Sequence, residues 1–107
     1  MKYFVAAIAL LASTSSFAAN LCTKWEHKER FVKAIKVVAT EYKMTYEELC
    51  NNPNILDIEA QPSRIILRDG TVIPHVQVQL HQSYQSCLIM VSDVDSSIAK
   101  NYCYSGW

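Results

Sequence analysis

The hydrophobic period changes once along this chain of 107 residues, close to residue 55. Upstream, apolar side chains recur at Phe31, Ala34, Ile35, Val38 and Tyr42, with Trp25, Val32 and Ala39 widening the stripe. That is helical spacing, and Lys28, Glu29, Arg30, Lys33, Lys36 and Glu41 occupy the opposite face. Thr23-Lys24-Trp25-Glu26 has the form of a capping box. The reading is one amphipathic helix from Thr23 to Tyr42, supported by the i,i+4 pairs Glu26–Arg30 and Glu29–Lys33. A second capping box, Thr45-Tyr46-Glu47-Glu48, starts a short helix that Asn51-Asn52-Pro53-Asn54 stops.

Downstream the spacing is that of strands. Ile55 to Ala60 partly alternates, Gln61-Pro62-Ser63 reads as a break, and Arg64 to Arg68 is a short apolar run between charges. Asp69-Gly70 is a hairpin signal. Thr71 to Gln82 reads as a long strand with Val76, Val78 and Leu80 on one face and His75, Gln77, Gln79 and His81 on the other. Ser86 to Ser92 is apolar on both faces, as a central, doubly covered strand would be; Asp93 to Ser97 turns the chain, and Ile98 to Tyr104 forms the last strand. The fold class that follows is α+β. One long amphipathic helix and a short helix pack on a four- to five-stranded antiparallel meander.

The first residues do not belong to that fold. Lys2 precedes an apolar run from Phe4 to Ala12, well under the roughly 20 residues a membrane span needs. Ser16-Phe17-Ala18 has the small–x–small form of a cleavage site. Residues 1–18 therefore read as a secretory signal peptide, and 19–107 as one small domain with no membrane span after cleavage. The style of the segment is Gram-negative, which points to the periplasm or to secretion. Without Lys2, nine Lys and Arg face ten Asp and Glu. No basic excess exists to steer nucleic acid.

Cys22, Cys50, Cys87 and Cys103 all follow the cleavage site, and an even count in an oxidising compartment reads as two disulfides. Their wide spacing lacks the close pairs of zinc sites and the C-x-x-C of thiol redox proteins. A continuous helix from Thr23 to Tyr42 spans about 30 Å, and the second helix returns about 9 Å. Cys22 and Cys50 then lie beyond the ~7 Å Cα reach of a bridge. The expectation is that each bonds into the C-terminal strands. The alternative, Cys87–Cys103 across one hairpin, forces Cys22–Cys50.

Catalytic signals are thin. No G-x-S-x-G elbow is present, and two glycines make no phosphate-cradling loop. Glu47 and Glu48 suit a helix N-terminus. Asp93 and Asp95 with Ser96 and Ser97 are turn chemistry rather than a calcium loop. His75 and His81 share a strand face but stand about 20 Å apart, too far to bind one metal, and read as two exposed imidazoles. The candidate binding residues are His75, Gln77, Gln79 and His81, a flat polar stripe, with the aromatic Tyr102, Tyr104 and Trp107 near the end. No catalytic residue, cofactor or metal is assigned.

In layout this chain resembles cystatin-like folds, in which a sheet wraps a single helix. The Q-x-V-x-G loop of cystatin inhibitors is absent, since Gln77-Val78-Gln79-Leu80-His81 contains no Gly. The layout also resembles that of some periplasmic colicin-immunity proteins and small exported proteins. The expected function is a non-catalytic periplasmic or secreted module that binds a protein partner in the cell envelope, of inhibitor, immunity or envelope-regulatory type. The alternatives are a small periplasmic hydrolase or metal-dependent enzyme using His27, His75 or His81 with a nearby carboxylate, and a small-ligand carrier.

Overall fold

A four-stranded antiparallel sheet in the order β1-β2-β3-β4 carries the helices on one face. The computed structural model describes residues 20–105; the expected signal peptide and Trp107 lie outside them. The strands are β1 (Ile55–Ile66), β2 (Val72–Gln82), β3 (Ser86–Ser92) and β4 (Ile98–Tyr104). Before them come a 3-10 turn (Thr23–Trp25), α1 (Glu29–Glu41) and α2 (Tyr46–Cys50). The α+β reading and the strand meander stand, with four strands among the described residues.

The long helix is shorter than its hydrophobic stripe implied. Cys22, not Thr23, precedes the 3-10 turn and gives no side-chain cap, and α1 starts only at Glu29. The expected Thr23–Glu26 box is therefore not formed. The second box is: Thr45 accepts from the Glu48 N–H at 3.0 Å, and Glu48 accepts from the Thr45 N–H at 2.8 Å. At the end of α1, Lys43 takes φ 61°. The Met44 N–H donates to the Ala39 carbonyl and the Lys43 N–H to the Thr40 carbonyl, both at 2.9 Å, which is a Schellman closure.

The break before α1 decides the disulfides. Cys22 bonds to Cys50 and Cys87 to Cys103, so the expectation that Cys22 and Cys50 each reach the C-terminal strands is overturned. A 13-residue α1 spans about 20 Å, and the chain before it is free to turn back. The Trp25 ring packs edge-on against Phe31 at 5.5 Å, and the Leu21 N–H donates to the Cys50 carbonyl at 2.9 Å. Both chain ends of the helical layer thus meet, and Cys22 and Cys50 are fully buried.

The core lies between this layer and one sheet face. α1 contributes Phe31, Ala34, Ile35, Val38 and Ala39; α2 contributes Leu49. The sheet contributes Ile58, Ala60, Val76, Val78, Leu80, Ile89 and Val91. Burying each Val, Ile or Leu is worth about 1.5–3 kcal/mol. These contacts, rather than intrinsic helix propensity, hold a 13-residue helix in place.

β1 runs unbroken through Gln61-Pro62-Ser63, with Pro62 opposite Val76, so the expected break is absent. β1 is an edge strand, and there a residue without an N–H loses no ladder bond on its solvent side. A register shift between Ile55 and Asp57 leaves Leu56 as an extra residue, which explains the imperfect alternation of that segment. The Asp69-Gly70 hairpin forms as expected: Gly70 takes φ 90°, and the Leu67 N–H donates to the Thr71 carbonyl at 2.8 Å.

Candidate functional site

The sheet face away from α1 carries the residues the sequence singled out. Strand parity puts His75, Gln77, Gln79 and His81 of β2 there, together with Ser86, Leu88, Met90 and Ser92 of β3. Lys100, Tyr102 and Tyr104 join from β4, and Glu59 and Gln61 from β1. Ser86 to Ser92 is thus an inner strand of the sheet, but the helical layer covers only one of its faces. The middle of the open face is apolar and neutral, with Met90 buried and Leu88 half-buried. Around it Tyr102 is 51% and Tyr104 42% exposed, their ring centroids 6.3 Å apart. The Gln79 amide reaches the Tyr104 hydroxyl at 3.5 Å.

The four β2 residues do not form one uniform stripe. His75 is buried, against the expectation of an exposed imidazole. The hairpin end of β1 and β2 and the turn after β3 close around it. Ile65, Leu67, Ile73, Val94 and Ala99 line that pocket, and the Asp93 N–H ties the turn to the Pro74 carbonyl at 3.0 Å. His75 Nδ1 donates to the Ile73 carbonyl at 2.8 Å, so its burial is satisfied within its own strand. From the helix side, Arg30 Nη2 donates to the His75 carbonyl at 3.1 Å while Arg30 Nε pairs with Asp93 at 2.6 Å. His75 therefore supports the end of the sheet rather than presenting a surface.

At the other end His81 is only half-buried and makes two side-chain bonds. Its Nε2 lies 3.0 Å from Glu59 Oε1 and its Nδ1 2.9 Å from Ser86 Oγ. Two pairings make this array. Ser86 faces His81 directly across β2 and β3, and Glu59 sits diagonally on β1, opposite Gln79. A neutral imidazole with its proton on Nε2 satisfies both partners, donating to Glu59 and accepting from the Ser86 hydroxyl. No protein-family model, curated protein or solved structure matches this chain.

His27 is exposed on the segment before α1, apart from both strand histidines in sequence and in role. Among the described residues no three His, Cys, Asp or Glu side chains converge as a metal site requires. Asp93, Asp95, Ser96 and Ser97 act as a turn. Ser97 donates to Asp95 through its hydroxyl at 2.6 Å and its N–H at 3.0 Å, and these bonds hold the Asp95 carboxyl below the usual range. A cleft of about 500 Å³ lies between the start of α1 and that turn, lined by Glu29, Arg30, Lys33, Ala34, Val91, Ser92, Asp93 and Ser96. It is open and rimmed with charge, unlike the apolar enclosure that suits a small-ligand carrier.

The Glu59–His81–Ser86 array was beyond sequence reasoning. Ser86 and Glu59 are 5 and 22 residues from His81, and only the register of three strands brings them together. The signal that was available is the parity of Glu59 and His81 on neighbouring strands. Two disulfides, and no helix among the described residues long and apolar enough to cross a membrane, fit a secreted protein.

Proposed function

We propose that this is a non-catalytic binding module of the periplasm or cell exterior, engaging a protein partner through the open face of its sheet. One observation carries the reading: a sheet covered by helices on one side only, whose uncovered side has an apolar centre ringed by tyrosines and glutamines. Interface cores are depleted in charge and enriched in Tyr and Met, and this face has that make-up around Leu88, Met90, Tyr102 and Tyr104. Its charged strand members, Asp57, Glu59 and Lys100, stand toward its margins on β1 and β4. Disulfides at Cys22–Cys50 and Cys87–Cys103 hold the face in shape, so little ordering entropy is lost on binding. An inhibitor, an immunity protein or an envelope regulator would each use such a face.

The test is affinity capture from a cell-envelope extract with the oxidised protein, run beside the Gln77→Arg/Gln79→Arg variant. The reading expects one stoichiometric partner that the variant fails to retain. Equal retention by both proteins removes the face from the interaction, and no retained partner removes the reading.

A second reading rests on the His81 array. Ser86 Oγ attacking an acyl carbon would pass its proton to His81 Nδ1, while Glu59 holds the imidazolium through Nε2. The array stands on an open sheet face, with side-chain exposures of 31% for His81 and 51% for Glu59, so it lacks the water-excluding cleft that strengthens such a relay. This is why binding is preferred. Covalent labelling of Ser86 by a fluorophosphonate, abolished in Ser86→Ala and in His81→Ala, would reverse the preference.

A further inference from the structure

The two edges of the sheet are treated differently. The outer side of β1 is blunted in several ways at once. Pro62 stands mid-strand and offers no N–H, and the Ile55/Asp57 bulge bends one end. Trp25 Nε1 occupies the Ile58 carbonyl at 3.0 Å, and Lys24 covers Asp57 at 2.8 Å. Proteins use these devices to stop an edge from recruiting another strand. β4 has few of them. Its one register irregularity, where Ile98 meets Val91, lies at its beginning. From Ala99 to Tyr104 it is exposed throughout, contains no proline and carries a single charge, Lys100. Among the described residues no backbone group pairs with its outer side.

The phase of the free hydrogen-bonding groups can be read from the inner ladder. Cys87 and Cys103 are direct partners with Cα atoms 3.9 Å apart, the close spacing of a non-hydrogen-bonded antiparallel pair. The pair two residues on, Ile89 and Asn101, has the same character by alternation. The N–H and C=O of Cys103 and of Asn101 therefore point away from β3, outward along the sheet.

This phase and this sequence fit a second copy of the same strand. In an antiparallel pairing centred on Asn101, the two Asn101 residues exchange both backbone bonds, and Cys103 of each strand stands opposite Ala99 of the other. Lys100 then lies across from Tyr102 on the open face, a cation beside an aromatic ring, and no two like charges meet. We propose that β4 is a dimerisation edge: two copies pair antiparallel about a two-fold axis at Asn101, Lys100 of each facing Tyr102 of the other, to form one continuous eight-stranded sheet. The proposal does not rest on the binding-module reading, because the outward backbone groups of β4 carry the pairing; its side-chain contact, Lys100 with Tyr102, lies where that edge borders the open face.

The test is sedimentation equilibrium of the full chain, expressed in an oxidising compartment and purified with both disulfides formed, with three variants. The wild type is expected to be a dimer. Asn101→Pro removes the outward N–H at the two-fold axis while leaving the bonds to β3, and is expected to be a monomer. Because that variant risks misfolding, the exposed Tyr102 supplies a second pair. Tyr102→Lys sets two like charges opposite each other twice per dimer and is expected to raise the dissociation constant about tenfold. Tyr102→Glu sets opposite charges there and is expected to keep or tighten the dimer. A wild type that stays monomeric at about 100 µM, about a hundredfold above a micromolar dissociation constant, overturns the proposal. A dimer that Tyr102→Lys and Tyr102→Glu weaken equally overturns it too, as does a monomer that instead captures an extended peptide of another sequence.

Discussion

Cys22 and Cys50 stand 5.4 Å apart at Cα, and the Leu21 N–H donates to the Cys50 carbonyl beside them. The bridge joins the segment that enters α1 to the helix that follows it. It therefore closes the helical layer on itself, independently of the sheet. Cys87–Cys103 does something different, linking two strands already joined by their own ladder.

The two bridges should not be equivalent. Replacing Cys22 and Cys50 together with Ala is expected to cost about 3–4 kcal/mol, toward the upper end for a disulfide, because both side chains are fully buried and no ladder replaces the bridge. Replacing Cys87 and Cys103 is expected to cost about 2 kcal/mol, with Cys103 exposed and the strand pair retained. Urea denaturation of both double variants checks the order.

Lys43 holds a left-handed conformation that a side chain disfavours. Lys43→Gly is expected to stabilise the protein by about 0.5–1 kcal/mol, since the Schellman bonds from the Lys43 and Met44 N–H groups are backbone bonds and survive. A thermal melt that falls instead would show that the lysine side chain matters there. At the next helix the sign reverses: Thr45→Ala loses the hydroxyl that accepts the Glu48 N–H and should cost about 1 kcal/mol.

Asp69 and Asp95 should titrate below the ordinary carboxylate range. The Thr71 hydroxyl and N–H hold the first ionised, and the Ser97 hydroxyl and N–H the second. With folded values depressed, their contribution to stability is present above the unfolded value and is lost as pH falls through the folded one. Carboxyl NMR titration is expected to show both midpoints under 3.8, the usual value, and Thr71→Val should raise that of Asp69 alone.

Burial separates isoleucines that look alike in sequence. Ile89→Ala removes a fully buried side chain between sheet and helix and should cost about 3 kcal/mol. Ile66→Ala, at the hairpin end with 59% of the residue exposed, should cost under about 0.5 kcal/mol. Chemical denaturation of the two single variants measures the difference.

What the chain carried locally was the kind of each element. Helical spacing from Phe31 to Val38, the Thr45–Glu48 box, the Asp69-Gly70 turn and the alternation of Val76, Val78 and Leu80 all depend on neighbours within a few residues, and all are present. The α+β class follows from them. The disulfide partners, the unbroken passage of β1 through Pro62, the burial of His75 and the meeting of Glu59, His81 and Ser86 depend on residues that touch only once the sheet has its register and the segment before α1 has turned back. Periodicity records which face of an element is apolar. It does not record which edge a strand occupies, where a helix yields to a 3-10 turn, or what closes over a polar face. Those are settled by packing between segments far apart in the chain, where the same local pattern is compatible with several arrangements and only the shared core selects one.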